Sequence, residues 1–157
     1  MRGCVLVLHN IRSVYNVGSI FRTADAAGVE KILLCGYTPT PLDRFGRLRS
    51  DFNKVSLGAE KSVEWEQCKT LATAIKKLKQ ENFLILAIEQ SKNSTSLFDY
   101  HPPKNQPIAI ILGNEVRGIS PASLKHADAI LEIPMRGSKE SLNVSVTAGI
   151  ALFTLLR

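Results

Sequence analysis

Short, continuous apolar segments alternate with helical patterns along this chain, and that alternation constrains the fold more than any other feature of the sequence. A short apolar run bounded by turn residues is typical of a strand buried on both faces. Such runs predict strands at residues 4–8, 31–35, 83–89, 108–112 and 129–133, with another near 62–65. Strands that alternate with helices form parallel sheets, so we expect an α/β fold with a mostly parallel sheet covered by helices on both faces.

Helical signals fill the intervals between these strands. Residues 19–27 place small and apolar side chains on one face and end at Gly28, a typical C-cap. Residues 70–80 are amphipathic, and Ser120 followed by Pro121 is typical of a helix start. The last helix is predicted over 142–156, whereas 43–66 indicate only a helical turn or two. The sequence shows no internal repeat or linker and therefore predicts one domain over residues 1–157, without an added RNA-binding domain.

Composition excludes several classes of protein. The longest apolar runs, 83–88 and 108–112, are far shorter than the roughly 20 residues that span a membrane. Met1-Arg2-Gly3 leads directly into the first strand without a signal-peptide cleavage site. The three cysteines and three histidines show neither a metal-ligand spacing nor a disulfide pattern. We therefore expect a soluble cytoplasmic protein with no metal site.

The formal net charge of +6 favours a polyanionic partner, because cationic side chains bind phosphates and release their counterions. Basic residues also lie in or near the polar segments 10–22, 112–118 and 133–145, which are candidates for a functional site. Arg117 and Arg136 lie in two of those segments, and residues 42–61 are rich in arginine and lysine. The net charge alone therefore favours a polyanionic partner and does not identify it.

Three polar or Gly-rich patches follow predicted strands at the point where each strand ends. They are residues 10–22, 112–118 and 133–145. Open α/β sheets bind ligands just outside the carboxyl ends of their strands. We therefore expect these distant patches to converge on one site.

Other ligand classes fit the patches less well. Gly113 and Gly118 have the spacing of half a P-loop, but Ile119-Ser120 stands where the phosphate-binding Lys-Ser/Thr should be. The first strand is followed by neither a G-x-G-x-x-G turn nor the Ser/Thr/Gly-rich loop of a flavodoxin-like protein. Ser141 lacks a G-x-S-x-G context and an evident His or Asp partner, so a serine hydrolase is not supported.

Together the patches closely resemble the three motifs of the SpoU (TrmH-like) class of the SPOUT superfamily. The matching residues are Asn16-x-Gly18-x-x-x-Arg22, then Leu112-Gly113-Asn114-Glu115-Val116-Arg117-Gly118, then Ile133-Pro134-Met135 with Ser141-Leu142-Asn143. The resemblance runs from about residue 5 to residue 156. It implies an S-adenosyl-L-methionine-dependent enzyme that methylates a ribose 2′-hydroxyl of tRNA or rRNA.

The resemblance also implies the residues of the site. The catalytic candidates are Asn16, Arg22, Glu115, Ser141 and Asn143. The cofactor-binding candidates are Leu112, Gly113, Ile133, Met135 and Leu142. Our candidates for RNA contacts are Arg12, Arg44, Arg47, Arg49, Arg117 and Arg136.

The resemblance gives Arg22 the role of general base, assisted by the RNA phosphate. Stabilising the developing alkoxide is the physical alternative, because a guanidinium holds its proton tightly. We expect Glu115 to orient Arg22 or Asn16 by a charge-assisted hydrogen bond, and Ser141 or Asn143 to cap the last helix.

Two further implications are a C-terminal trefoil knot and a homodimer with catalytic pockets at the subunit interface. Many relatives carry an added RNA-binding domain or flanking helices, and this sequence carries neither, so we expect the catalytic domain itself to select the RNA. A non-catalytic RNA-binding protein with the same fold is the alternative. The presence of all five polar catalytic candidates argues against it.

Overall fold

The computed structural model of this chain describes residues 3–157 and contains one sheet with its strands in the order β3-β2-β1-β6-β4-β7-β5. Each neighbouring pair is parallel. The strands are β1 (Cys4–His9), β2 (Lys31–Cys35), β3 (Glu64–Cys68), β4 (Leu84–Ile88), β5 (Thr95–Ser96), β6 (Ile108–Leu112) and β7 (Ala129–Glu132). The expected parallel α/β sheet is confirmed.

Helices cover both faces of the sheet, as the strand pattern predicted. They are α1 (Val14–Ala27), α2 (Ser50–Ser56), α3 (Leu71–Gln80), α4 (Pro121–Leu124) and α5 (Val144–Leu155), with a 3-10 turn at Ala59–Lys61. Alternate residues of β1 point to opposite faces: Leu6 packs in the core beneath α1 and α5, and Val7 packs in the core beneath α3. Strands buried on both faces explain why the apolar runs are continuous.

Several element boundaries differ from the sequence prediction because capping side chains set them. The prediction that the first helix starts at residue 19 is wrong: Ser13 is its N-cap and accepts a hydrogen bond from the Asn16 N–H. The last helix starts at Val144, since Asn143 caps it. The strand expected near 62–65 lies at Glu64–Cys68. The sequence analysis did not predict β5, because this two-residue strand contains no apolar run.

Close packing of α1 on α2 fixes the position of the first motif. A Cβ at Gly18 would overlap the side chain of Val55 and lie 3.0 Å from the Phe52 carbonyl oxygen. Phe21 and Phe52 meet edge to face, with ring centroids 5.1 Å apart. Gly18 is therefore a contact point between helices, and it lies one turn before Arg22.

The cysteines are thiols, with Cys4 and Cys35 buried and Cys68 half-buried. Within residues 3–157, His, Cys, Asp and Glu side chains form no cluster that could hold a metal ion. None of the helices in this range combines the length and hydrophobicity of a membrane span. The expectation that no signal peptide precedes the first strand depends on Met1 and Arg2, which lie outside the described residues.

Candidate active site

A cavity of about 330 Å³ lies at the carboxyl edge of the sheet, beside the ends of β4, β6 and β7. Segments 112–118, 132–135 and 140–147 form much of its lining. It includes every residue predicted to hold the cofactor: Leu112, Gly113, Ile133, Met135 and Leu142. Two predicted catalytic residues, Glu115 and Ser141, also line it. The second and third patches thus converge at one cavity.

The loop after β6 folds back tightly on itself, which is why its two glycines are needed. A Cβ on Gly113 would lie 2.7 Å from the carbonyl carbon of Gly118, closer than real Cβ atoms approach. The Asn114 side chain holds the turn by accepting hydrogen bonds from the N–H groups of Val116 and Arg117, at 2.9 and 2.8 Å. Gly118 closes the loop at φ +64°, a conformation that favours glycine.

Glu115 joins the second motif to the first. Its carboxylate accepts hydrogen bonds from the N–H of Arg12 at 3.1 Å and of Ser13 at 3.4 Å. The expectation that Glu115 holds the side chain of Arg22 or Asn16 is therefore wrong in this structure. The carboxylate is occupied by backbone N–H groups just before α1, where a helix N-terminus favours negative charge.

Asn16 and Asn143 link the first motif to the third. The Asn143 amide donates to Oδ1 of Asn16 at 3.1 Å, while its own oxygen accepts from the Ser145 N–H at 2.8 Å. Asn143, rather than Ser141, is thus the N-cap of α5. A shallow depression lined by Arg12, Ser13, Asn16 and Glu115 adjoins the main cavity through Glu115, which lines both.

Arg22 stands apart from both concavities. It lies on α1 with its side chain exposed, and within residues 3–157 its guanidinium makes no hydrogen bond or ion pair. The charged atoms of this residue are therefore available to a ligand. The structure does not bring Arg22 together with the cavity inside one chain.

Sequence reasoning missed Glu89, at the end of β4. Its carboxylate accepts from the buried N–H of Ile119 at 2.8 Å and from the N–H of Gln90 at 3.0 Å, and the residue lines the cavity. Gln90 lines the cavity too, and its side-chain amide donates to the Glu140 carbonyl at 2.6 Å. This hydrogen bond joins the loop between β7 and α5 to the end of β4. The position of Glu89 just after a strand was a usable signal, because ligand sites lie at the carboxyl ends of parallel strands.

Charge in the cavity is one-sided. Four carboxylates line it, on Glu89, Glu115, Glu132 and Glu140, and no lysine or arginine is among its lining residues. Apolar side chains supply much of the rest of the wall. The arrangement suits a ligand that is partly apolar and carries positive charge, and it disfavours a nucleotide triphosphate.

His9 ends β1 directly beside the first motif. Burial lowers the pKa of this side chain. Its Nδ1 atom is buried without a hydrogen-bond partner in the described part of the chain. Both observations indicate a neutral imidazole.

The predicted RNA-contact arginines lie outside the cavity. Arg44, Arg47 and Arg49 belong to the loop before α2, where Arg49 forms an ion pair with Asp51 at 2.9 Å. Arg117 and Arg136 are exposed on the loops after β6 and β7, and Arg12 lines the adjoining depression.

A family model described as the SpoU rRNA Methylase family matches residues 3–153. The chain is 33% identical over 153 residues to the 23S rRNA (guanosine-2'-O-)-methyltransferase RlmB of Escherichia coli K12. That match covers 98% of this chain and 59% of the relative. The chain thus spans about three fifths of the length of that curated protein.

Solved structures show the same likeness. The AdoMet-bound rRNA methyltransferase from Sinorhizobium meliloti superposes with a TM-score of 0.86 at 26% identity, covering 97% of this chain and 55% of that one. The TrmH/SpoU tRNA modifying enzyme of A. aeolicus superposes with a TM-score of 0.84 at 27% identity, covering 99% and 75%.

Proposed function

Because this chain belongs to the SpoU rRNA methylase family, we propose that it transfers a methyl group from S-adenosyl-L-methionine to a ribose 2′-oxygen of rRNA or tRNA. The observation that carries the proposal is the convergence of the second and third motifs at one cavity, with the first motif bound to its rim through Glu115. The E. coli relative is a 23S rRNA methyltransferase, and the A. aeolicus structure is a tRNA modifying enzyme, so both RNA classes stay in the proposal.

The residues of the cavity fit S-adenosyl-L-methionine. This cofactor carries a sulfonium and an ammonium, which suits a cavity with four carboxylates and no basic side chain in its lining. Leu112, Ile133, Met135 and Leu142 would hold its apolar parts, and Gly113 lets the loop after β6 fold back against Gly118 to form one wall of the cavity. When bound, the cofactor supplies an activated methyl group.

Arg22 is the residue we assign to the reacting ribose. A guanidinium keeps its proton under physiological conditions, so it can stabilise a developing alkoxide and bind the adjacent phosphate more readily than it can accept a proton. Its guanidinium is exposed and makes no hydrogen bond or ion pair in the described part of the chain, which supports this role. The 2′-hydroxyl proton would pass to solvent water, while Arg22 stabilises the negative charge that develops on the oxygen.

The other polar motif residues position the site. Asn16 and Asn143 hold α1 against the start of α5, and Glu115 holds the loop before α1. Ser141 lines the cavity and lies exposed, where its hydroxyl can contact cofactor or substrate. These are our proposed roles for the five predicted catalytic residues.

We further propose a homodimer in which a second copy covers the exposed side of α5. This helix carries exposed Val146 and Phe153, and it packs against α1, which carries Arg22. A second copy on this face would bury those apolar side chains and could bring Arg22 to a cavity that its own chain does not reach. Light scattering should report a dimer, and Phe153→Glu should give a monomer with reduced methyl transfer.

A C-terminal trefoil knot is also part of the proposal. The motif resemblance and the match to the SpoU family support it, and the observed order, with β6 between β1 and β4 and β7 beyond β4, is compatible with it. We propose in addition that residues 1–157 act as a single methyltransferase domain that selects RNA through its own basic surface. The proposed substrates are cytoplasmic, and we expect the protein to act there.

Transfer of labelled methyl from S-adenosyl-L-methionine to unmodified tRNA and, separately, to rRNA tests the function. We expect label on a ribose 2′-oxygen in one pool, and loss of more than about 100-fold in Arg22→Ala, the scale of removing one transition-state donor. Lys76→Ala, an exposed change on α3, is the matched control and should keep wild-type transfer.

The non-catalytic alternative makes a different prediction. It requires RNA binding without transfer to either pool and no effect of Arg22→Ala beyond weaker RNA binding. Absence of both transfer and cofactor binding would refute the enzyme.

A further inference from the structure

Residues 42–48, which we call the tip hairpin, form an ordered protrusion between β2 and α2. Leu42 and Leu48 pair as an antiparallel bridge. Asp43 organises the turn: its carboxylate accepts from the N–H groups of Phe45 at 2.8 Å and Arg47 at 3.0 Å. These hydrogen bonds lower the pKa of Asp43, with the Arg47 N–H the largest cause. The hairpin is thus held in one shape without packing in the core.

The aromatic ring of Phe45, at the end of the hairpin, contacts the guanidinium groups of Arg44 and Arg47. Phe45 is 66% exposed, unusual for so large an apolar side chain. The guanidinium carbons of Arg44 and Arg47 lie 4.8 and 5.0 Å from its ring centroid. Arg47 uses only its Nε atom on Asp43, and Arg44 has no carboxylate partner within residues 3–157. Two guanidinium groups, whose terminal N–H donors have no carboxylate partner within residues 3–157, therefore lie against one exposed ring.

The hairpin is coupled to the loops of the candidate site. The chain reaches it through the loop after β2, where the Tyr37 N–H donates to Oδ1 of Asn10 at 3.2 Å. The Tyr37 hydroxyl accepts from the amide of Asn114, in the second motif, at 3.0 Å. The short segment from Tyr37 to the hairpin thus begins at the site rim.

We propose that the tip hairpin binds an unpaired nucleotide of the RNA substrate, with its base stacked on the Phe45–arginine cluster and its phosphates bound by Arg44 and Arg47. Unpaired bases stack on aromatic rings and on guanidinium planes, and arginine binds phosphate through paired N–H donors. The proposal deepens and rests on the proposed function, because it assigns the RNA-contact surface of the same site. A base-paired RNA offers no free base face, so the cluster should favour single strands.

Fluorescence anisotropy with a labelled 20-nucleotide oligouridylate and a 20-base-pair RNA duplex tests the proposal on the intact chain. We expect Phe45→Ala and Phe45→Leu to weaken oligouridylate binding about 5- to 150-fold, the range for losing one base–aromatic stack. Phe45→Tyr keeps the ring and should bind within about twofold of wild type. Duplex binding should change little in all three. Arg44→Ala should lower the slope of log affinity against log salt for the single strand by about 0.7.

The outcomes separate the hairpin from the enzyme. Wild-type oligouridylate affinity in Phe45→Leu, or equal losses for single strand and duplex, would overturn the stacking site. So would methyl transfer to natural RNA by a wild-type chain that binds no oligouridylate. Conversely, ring-dependent oligouridylate binding by a chain that transfers no methyl group would uphold the hairpin and sink the proposed function.

Discussion

Gly118→Ala should destabilise the protein by more than its backbone conformation alone explains. Gly118 has φ +64°, and a residue with a Cβ pays about 1–2 kcal/mol in that region. The added Cβ would also overlap Oε2 of Glu89 and lie 2.9 Å from its Cδ. That same oxygen accepts the hydrogen bond from Ile119, whose N–H is buried. Moving Glu89 away leaves this N–H unsatisfied, which costs about 1–3 kcal/mol.

The two contributions together give a loss of about 2–5 kcal/mol in the free energy of unfolding. Urea unfolding with linear extrapolation measures it. Gly58→Ala is the matched control for backbone conformation, because Gly58 has φ +88° with open space around a new Cβ, and it should lose about 1–2 kcal/mol. Gly137→Ala has neither problem and should be close to neutral.

A double-mutant cycle isolates the role of Glu89. In a Glu89→Ala background the overlap and the hydrogen bond are already absent, so Gly118→Ala should cost about 1–2 kcal/mol, as at Gly58. If Gly118→Ala costs the same with and without Glu89, the reasoning is refuted. Cofactor affinity should fall in Gly118→Ala, since both residues line the cavity.

Three further predictions concern the cap, a buried imidazole and the thiols. Asn143→Ala removes the N-cap of α5 and should lower the free energy of unfolding by about 0.5–2 kcal/mol. Asn143→Ser keeps a capping oxygen but is too short to reach Asn16, so it should retain stability and lose methyl transfer. Equal methyl transfer in Asn143→Ser and wild type would show that the hydrogen bond to Asn16 is dispensable. Burial lowers the pKa of His9 below 6.5, so the unfolded state binds its proton first and stability falls as pH drops below 6.5; His9→Asn should flatten that part of an unfolding-versus-pH curve, and an unchanged curve would contradict a neutral His9. Burial raises the pKa of the Cys35 thiol, so a disulfide reagent at pH 7.5 should titrate the buried Cys4 and Cys35 only after unfolding, and rapid native labelling of Cys35 would be inconsistent with this.

The fold was readable from the sequence because its strands are buried on both faces. The run Ile108–Leu112 was predicted with the bounds that the structure has, since a short apolar run between turn residues is typical of a strand buried on both faces. The resemblance and the rule on carboxyl strand ends also led to residues that line one cavity, among them Leu112, Gly113 and Ile133. What failed depended on the hydrogen bonds of single side chains: Ser13 accepts from the Asn16 N–H, so it caps α1 and starts that helix earlier than predicted.

The role of Glu115 failed for the same reason. Its partners lie about a hundred positions away in sequence, and no local pattern distinguishes a carboxylate that binds backbone N–H groups from one that binds a guanidinium. Glu89 was missed because it ends the predicted strand at 83–89 and lies outside the three polar patches. Its place in the cavity wall and its hydrogen bond to the Ile119 N–H show where it lies.

These contacts suggest a division of labour among the polar motif residues. Glu115, Asn114 and Glu89 direct their oxygens at backbone N–H groups, and Asn143 divides its amide between a helix cap and Asn16. Loops fixed in this way need little reorganisation when a ligand binds, which favours electrostatic catalysis. Arg22 takes no part in this scaffolding, although it belongs to the same motif as Asn16. Within residues 3–157 the exposed guanidinium of Arg22 makes no hydrogen bond or ion pair, so its removal should cost activity without costing stability. Arg22→Ala should therefore unfold like wild type while losing methyl transfer.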